Sequence, residues 1–221
     1  MPDFKVPLKD YSFLFNDVID MQANYKNVKG GDQATPDMLD AIFSEAAKFS
    51  ETELAPIYQS GDKGCTWDDG VVTAPAGFKE AYAKFIEAGW TSLTGSQEMG
   101  GQGLPSSIGV AINEMLTTAN WAWAMYPGLS EGAVATLEDH GTPEQKQAYL
   151  TKLISGVWSG TMCLTEPHCG TDLGQLKTKA EPNADGSYKV NGTKIFISAG
   201  EHDLTENIVH IVLAKLPDAP K

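Results

Sequence analysis

No apolar stretch in this 221-residue chain approaches the roughly 20 residues that a helix needs to cross a bilayer. A membrane-spanning segment is therefore not expected. The opening residues, MPDFKVPLKDYSF, lack the basic-then-apolar layout of a secretion signal, so a cytoplasmic location is the expectation. A basic block is missing too. The formal net charge is −13 and the cationic residues are scattered, which argues against nucleic acid and membrane surfaces as partners. An anionic ligand would have to be held by backbone N–H groups and a few local side chains. Cysteine is scarce: Cys65, Cys163 and Cys169 are odd in number and form no C-x-x-C pair. They read as reduced thiols. His168 beside Cys169 hints at a metal, but no second ligand pair stands at usable spacing, so no metal site is expected. Internal repeats and low-complexity tracts are absent as well.

What remains is ordinary globular material, 42% hydrophobic and 20% charged. The length suits one large domain, or one domain with part of another. Periodicity divides the chain near Gly156 to Trp158, helical before and strand-like after. Thr35-Pro36-Asp37 reads as a helix start with Thr35 as N-cap and Pro36 in the first turn. Leu39, Ile42, Phe43, Ala46, Ala47 and Phe49 keep helical spacing until Pro56. Phe78, Tyr82, Phe85 and Ile86 mark a second helix closed by Gly89. A longer one follows Pro105, with Ile108, Ala111, Ile112, Met115 and Leu116 on one face. Met125-Tyr126-Pro127-Gly128 is read as a break in that pattern, either a kink or part of a pocket lining. Thr142-Pro143-Glu144-Gln145 is a capping box, and its helix carries Tyr149, Leu150, Leu153 and Ile154 to Gly156. The expected bundle has short connections.

Five segments then read as strands: Trp158–Leu164, Leu176–Ala180, Tyr188–Val190, Lys194–Ser198 and Ile208–Ala214. Asn183-Ala184-Asp185-Gly186 and Asn191-Gly192 supply turns. These strands make the beginning of a sheet with an open edge and an uncovered apolar face. The chain is therefore expected to be one part of a longer protein.

Two segments have the composition of a ligand site. Cys163-Leu164-Thr165-Glu166-Pro167-His168-Cys169-Gly170-Thr171-Asp172 leads a strand into a loop able to aim N–H groups and hydroxyls at a planar polar ligand. An ordinary strand-to-loop connection would look the same. In Asn191-Gly192-Thr193-Lys194-Ile195-Phe196-Ile197-Ser198, Phe196 could stack on a ring system while Ser198 donates to its heteroatom edge. A hairpin strand with a core-facing Phe is the simpler alternative. Glu98-Met99-Gly100-Gly101-Gln102-Gly103 is glycine-rich, but no strand precedes it and no Lys-Ser/Thr follows, so it is not a phosphate-binding fingerprint.

Taken in order, the Gly-Gly-x-Gly loop, Asp139-His140-Gly141-Thr142-Pro143-Glu144-Gln145-Lys146, the Thr-Glu-Pro loop and the Asn-Gly-x-Lys strand resemble the acyl-CoA dehydrogenase family. The likeness runs from about Thr35 to the last residue. The N-terminal extension, the tail Gly200-Glu201-His202-Asp203-Leu204-Thr205-Glu206-Asn207 and the stretch Ala214-Lys215-Leu216-Pro217-Asp218-Ala219-Pro220 are similar to the branch containing the 3-(methylthio)propanoyl-CoA dehydrogenases. The resemblance implies an α+β fold, in which an all-α N-terminal bundle precedes the first strands of a middle β-barrel domain. A C-terminal helical domain is absent from this chain. The implied division is an N-terminal extension over 1–34, a helical domain over 35–157 and a partial middle β domain over 158–221.

The same resemblance implies FAD as cofactor, an acyl-CoA substrate, electron-transfer flavoprotein as acceptor, and a homodimer or homotetramer. It places Met162, Leu164 and Thr165 along the flavin ring, with Thr165 at its pyrimidine end. Phe196, Ile197 and Ser198 match the family's Trp-Ile-Thr stretch: Phe keeps an aromatic wall without the indole donor, and Ser keeps a hydroxyl for flavin N5. Thr171 stands where the family has a Ser near the acyl-CoA. Met125 and Tyr126 are candidates for the pocket floor. The implied reaction is α,β-dehydrogenation to a trans-2-enoyl-CoA, with a carboxylate taking the α-proton while the β-hydride goes to the flavin. The family's catalytic Glu belongs to the C-terminal helical domain and nothing here matches it, so no catalytic residue is assigned and the chain alone is expected to be inactive. Glu166 and Asp172 are read as organisers of their loop. An acyl-CoA oxidase would share the scaffold and pass electrons to oxygen, and a non-catalytic relative would keep the scaffold alone. Peroxide formation and flavin absorbance distinguish these.

Overall fold

The computed structural model describes residues 4–219. Helices come first. α1 (Leu8–Phe13) passes into a π turn over Leu14–Val18, and α2 (Met21–Tyr25) follows after Asp20. Tyr11 and Phe15 lie 6.0 and 5.0 Å from the Phe43 ring, so this leading segment packs into the helical core.

α3 (Pro36–Phe49) starts where its sequence indicates, with the Thr35 hydroxyl accepting from the Met38 N–H at 3.3 Å. Its buried residues, Leu39, Phe43, Ala46, Ala47 and Phe49, form one stripe at helical spacing. The helix does not stop cleanly. It runs on through a π turn (Ser50–Leu54) into a 3₁₀ turn holding Pro56, then α4 (Tyr58–Lys63). A hairpin absent from the sequence expectations comes next, β1 (Thr66–Asp68) against β2 (Val71–Thr73), turned by Asp69 and Gly70 at φ 44° and 86°. Two successive positive φ values are what a tight two-residue hairpin requires.

α5 (Phe78–Glu87) ends at Gly89, as expected from its sequence. The glycine-rich loop then folds back on Ser92–Ser96 through main-chain bonds from Gly101, Gln102 and Gly103. α6 (Ser106–His140) corrects one expectation. It continues through Met125–Gly128 with Pro127 inside it, and its break lies at Asn120, whose φ/ψ of −159°/90° is not helical. Asn120 is buried. Its carboxamide oxygen accepts from the Trp123 N–H, capping the second half of the helix, while its NH2 donates to the Leu54 carbonyl. α7 (Pro143–Ile154) begins with the complete capping box of Thr142 and Gln145.

Trp123 is the centre of the helical core. It is fully buried, 5.2 to 6.2 Å from the rings of Phe49, Tyr82 and Phe85, and its indole N–H donates to the Phe78 carbonyl. A smaller cluster of Leu137, Leu150, Leu153 and Ile154 takes Trp158, Val209 and Ile211 from the sheet.

Helices followed by strands make the chain α+β, and among the described residues the strands close no barrel. β3 (Trp158–Cys163) pairs in parallel with β6 (Asn207–Val212), from Trp158 opposite Asn207 to Cys163 opposite Val212. β4 (Lys179–Pro182) and β5 (Tyr188–Asn191) form an antiparallel hairpin, and a bridge between Lys179 and Lys215 links it to the end of β6. β4 begins three residues later than its apolar pattern suggests. Gly160 of β3 lies so close to α6 that a Cβ there would strike Ala133. That contact sets the sheet directly on the helices.

The expected strand over Lys194–Ser198 is not formed. Phe196 and Ala199 have φ of 56° and 52°, values that no strand residue adopts. The alternation of Lys, Ile, Phe, Ile and Ser imitates a strand, but this segment is held by the loop beside it. Among the described residues no helix is long and apolar enough to cross a membrane.

Candidate functional site

The loop after β3 is organised by one carboxylate. Glu166 lies almost wholly under its neighbours, and its N–H and carbonyl both pair with Cys169 across a tight turn. Its side chain accepts from the Thr178 hydroxyl at 2.6 Å, from the N–H groups of Lys177 and Thr178, and from the Lys194 ammonium at 3.0 Å. The Thr178 hydroxyl, and then these other donors, hold the carboxyl well below the usual carboxylate range even though burial opposes this. Gly192 lets the cluster close, since a Cβ there would strike the Thr178 side chain. Asp172 is also structural, accepting from the Gly174 N–H and the Gln175 carboxamide. Both acidic residues thus organise the loop, as the sequence suggests.

Atoms of Glu166, His168 and Cys169 lie within 4.8 Å of one another. The carboxylate among them is already neutralised by Lys194, and the His168 ring nitrogen sits 2.9 Å from the Gln175 carbonyl. That leaves a cation little to bind.

Lys194 does a second job. Its ammonium also donates to the Leu164 carbonyl at 2.8 Å, and the Ile195 N–H donates to the Thr165 carbonyl at 2.9 Å. Three residues on, the Thr161 hydroxyl donates to the Ser198 carbonyl at 2.9 Å. The segment 195–198 is therefore pinned at both ends against β3 and its loop. Between the pins, Phe196 is 87% exposed in a left-handed backbone conformation. A bulky residue held that way is strained, and strain persists only where the surroundings over-determine it.

The structure brings Leu164 and Thr165 beside Lys194 and Ile195, and Thr161 beside Ser198. Met162 lies on β3 and is 41% exposed, while Leu164, Thr165 and Ile197 are half-buried. Ser198 is exposed. Gly170 passes over the Thr165 side chain. Thr171 is exposed on the same loop, its carbonyl taken by the Leu173 N–H. Tyr126 is buried; its hydroxyl lies 3.5 Å from the Cys65 sulfur and its ring meets His202 edge-on at 5.1 Å. Burial pushes its phenol well above the ordinary value.

The buried polar face of β3 is the part that sequence reasoning missed. Ser159 and Thr161, two residues apart, point to the same side. Ser159 meets His202 and Thr205 there, while Asp203 accepts from the Ala74 N–H and pairs with Lys79. These partners stand 37 to 46 residues from β3, so no local pattern marks them. The unusual His-Asp tail was the one available signal. On the helical side a cavity of about 170 Å³ lies between α6 and Thr91–Gly95, with Ser130, Glu131 and Glu138 in its wall.

Comparison with known proteins accords with this architecture. The profile described as acyl-CoA dehydrogenase, N-terminal domain, matches residues 36–157. The 3-methylmercaptopropionyl-CoA dehydrogenase of Ruegeria pomeroyi is 46% identical over 182 residues, covering 82% of this chain and 31% of the relative. A butyryl-CoA dehydrogenase of Syntrophomonas wolfei is 35% identical over 224 residues, covering 99% of this chain and 35% of its own length. Among solved structures, an acyl-CoA dehydrogenase complexed with FAD from Bacillus anthracis superposes with a TM-score of 0.67 at 26% identity, over 82% of this chain and 30% of that one. This chain spans about a third of the length of the curated relatives it matches. By its helical half and by the sheet that follows, the chain belongs to the acyl-CoA dehydrogenase family.

Proposed function

We propose that the protein to which this chain contributes is an FAD-dependent acyl-CoA dehydrogenase, with 3-(methylthio)propanoyl-CoA as the candidate substrate. The observation that carries this reading is Phe196: an aromatic ring kept exposed, in a strained conformation, between two hydrogen-bonded pins. Such a ring is suited to stack on a planar ligand. The fit to a flavin is chemical as well. Met162, Leu164, Ile197 and Phe196 offer apolar surface for the faces of a ring system, and Thr165 and Ser198 offer hydroxyls for its polar edges. When bound, the flavin supplies the two-electron acceptor that side chains lack.

In this reading Phe196 and Met162 flank the ring, Thr165 and Ser198 orient it, and Thr171 serves the acyl-CoA. The Lys194–Glu166 pair fixes the distance between the two walls and leaves no net charge there. Glu166 cannot serve as the base. Four donors hold its carboxylate in the ionised, weakly basic form, far from the near-neutral pKa that general-base work favours. In this reading the α-proton goes to a carboxylate outside the length that this chain shares with its relatives, as the family likeness implies, and the chain alone is inactive. The division at residues 34 and 157 separates an extension and a helical unit from the sheet that carries the flavin wall. Electron-transfer flavoprotein is the proposed acceptor, a homodimer or homotetramer the proposed assembly, and the cytoplasm the proposed location.

The test uses the purified full-length protein. A bound-flavin absorbance band is expected, with dye reduction on adding 3-(methylthio)propanoyl-CoA and little peroxide in air. Absence of flavin, or no reduction with either that thioester or butanoyl-CoA, would overturn the proposal. Peroxide as the main product would make the protein an oxidase.

A further inference from the structure

The polar face of β3 carries a chain of hydrogen bonds whose direction can be read unambiguously. The Leu204 N–H donates to Nδ1 of His202 at 3.2 Å, so Nδ1 carries no proton. The ring proton is therefore on Nε2, which donates to the Ser159 hydroxyl at 3.0 Å. Thr205 donates its own hydroxyl hydrogen to the Asn207 carbonyl at 3.0 Å. Ser159 must then be the donor in its 3.1 Å contact with Thr205. Every donor and acceptor in the sequence Leu204, His202, Ser159, Thr205, Asn207 is used once, and only one tautomer of His202 permits it.

We propose that His202, in its neutral form, is a positioning residue for the Phe196–Ser198 wall. The proposal rests on the flavin reading of that wall given above. Three stitches join the segment 198–205 to one face of β3. Thr161 holds Ser198 directly, and Ser159 holds His202, four residues farther along, and Thr205 beyond it. Between the first two lies a short turn in which the Gly200 N–H bonds the Ile197 carbonyl, with Ala199 at φ 52°. The His202 bond is the stitch from β3 nearest that strained turn on its far side; without it the turn could pivot about Ser198 and carry Phe196 with it, since the next tie to β3 lies only at Thr205.

The surroundings of the imidazole favour its uncharged state. It is 5% exposed, with the Tyr126 ring of α6 edge-on against it. Burial lowers its pKa, while the nearby carboxylates of Glu201 and Asp203 oppose this. Asp203 is itself engaged by Lys79 of α5 and by the Ala74 N–H, and Cys65 lies behind Tyr126. A proton added to Nδ1 would face the Leu204 N–H, donor against donor, and would place a cation in this slot. The sign follows. A His whose folded pKa is lowered contributes stability above the unfolded value of 6.5, and this is lost as pH falls from there toward the folded pKa. Below that range the ring leaves its slot and the Ser159 bond goes with it.

Residue-resolved amide exchange at Ile195 and Gly200, in the full-length protein without added flavin, tests this directly. His202→Gln retains a donor of suitable length for Ser159 and cannot titrate. His202→Asn retains an acceptor for the Leu204 N–H but is too short to reach Ser159. At pH 7.5 the wild type and His202→Gln should be protected alike, and His202→Asn should exchange about tenfold faster, the loss of roughly one hydrogen bond. As pH is lowered through the folded pKa of His202, the wild type should join His202→Asn while His202→Gln stays protected. Equal protection in His202→Asn and the wild type at pH 7.5 would overturn the proposal. So would loss of protection in both variants, or the same pH profile for the wild type and His202→Gln. Flavin binding by the wild type, measured separately by fluorescence quenching, decides the reading beneath: a wild type that binds none refutes the flavin wall, while the exchange data still decide the positioning.

Discussion

The helical half and the sheet half of this chain are held together by different forces. Around Trp123 the helices bury rings and aliphatic side chains, with Asn120 finding two main-chain partners and the indole N–H one. Around β3 the contacts that fix geometry are polar: Glu166 with Lys194 and Thr178, Thr161 with Ser198, Ser159 with His202. Apolar burial is strong but non-directional. A network of buried hydrogen bonds is directional and costly to leave half-made. The helical half therefore supplies the stability, and the sheet half defines a shape.

The sharpest way to break this contrast is Trp123→Ala. Emptying the centre of the core should cost about 3–5 kcal/mol of unfolding free energy, read as a lower urea midpoint, while the Ile195 and Gly200 amides of the pinned segment keep their exchange protection as long as the protein is folded. Should the pins loosen before global unfolding, the two halves are not separable in this way.

Glu166→Gln should act in reverse. It removes the charge that Lys194 faces and weakens each donated bond, so exchange at Ile195 should accelerate strongly while the helical core is barely changed. The folded state holds this carboxyl below its free value of 4.5, so its contribution is present above that pH and fades as pH falls toward the folded pKa. The urea midpoints of variant and wild type should accordingly differ most near neutrality and converge in acid. A gap independent of pH would mean that packing, not ionisation, is what Glu166 provides.

The smallest effect belongs to Thr142→Ala. Loss of the capping box should cost about 1 kcal/mol, visible as a modest drop in melting temperature, with no change in exchange at Ile195 or Gly200.

What could be read from the sequence follows the same division. Thr35-Pro36 and Thr142-Pro143-Glu144-Gln145 announce their helices because the capping chemistry lies within four residues. The break in α6 could not be placed, because Asn120 acts through the Leu54 carbonyl, 66 residues away. Pro127 drew attention instead, yet the helix accommodates it. Lys194–Ser198 has the alternation of a strand, but the decisive bonds, from Lys194 to Glu166 and from Ile195 to Thr165, lie outside any local window. Asp69-Gly70 did carry a legible turn signal for the β1–β2 hairpin. Thr165, Phe196 and Ser198 are proposed through the likeness of ordered motifs, whereas the contacts of Ser159, Thr161 and His202 show only once the chain is folded.

The parallel pairing of β3 with β6 bears on the order of assembly. Trp158 meets Asn207, so β3 emerges from the ribosome well before the strand that completes it. Helical contacts are mostly local and form fast, while a parallel pair must first close the long loop between its strands. Until then β3 has an unsatisfied edge, and Gly160 lets it rest against the already folded Ala133 of α6. The helices thus shelter the first strand while its partner is still being made.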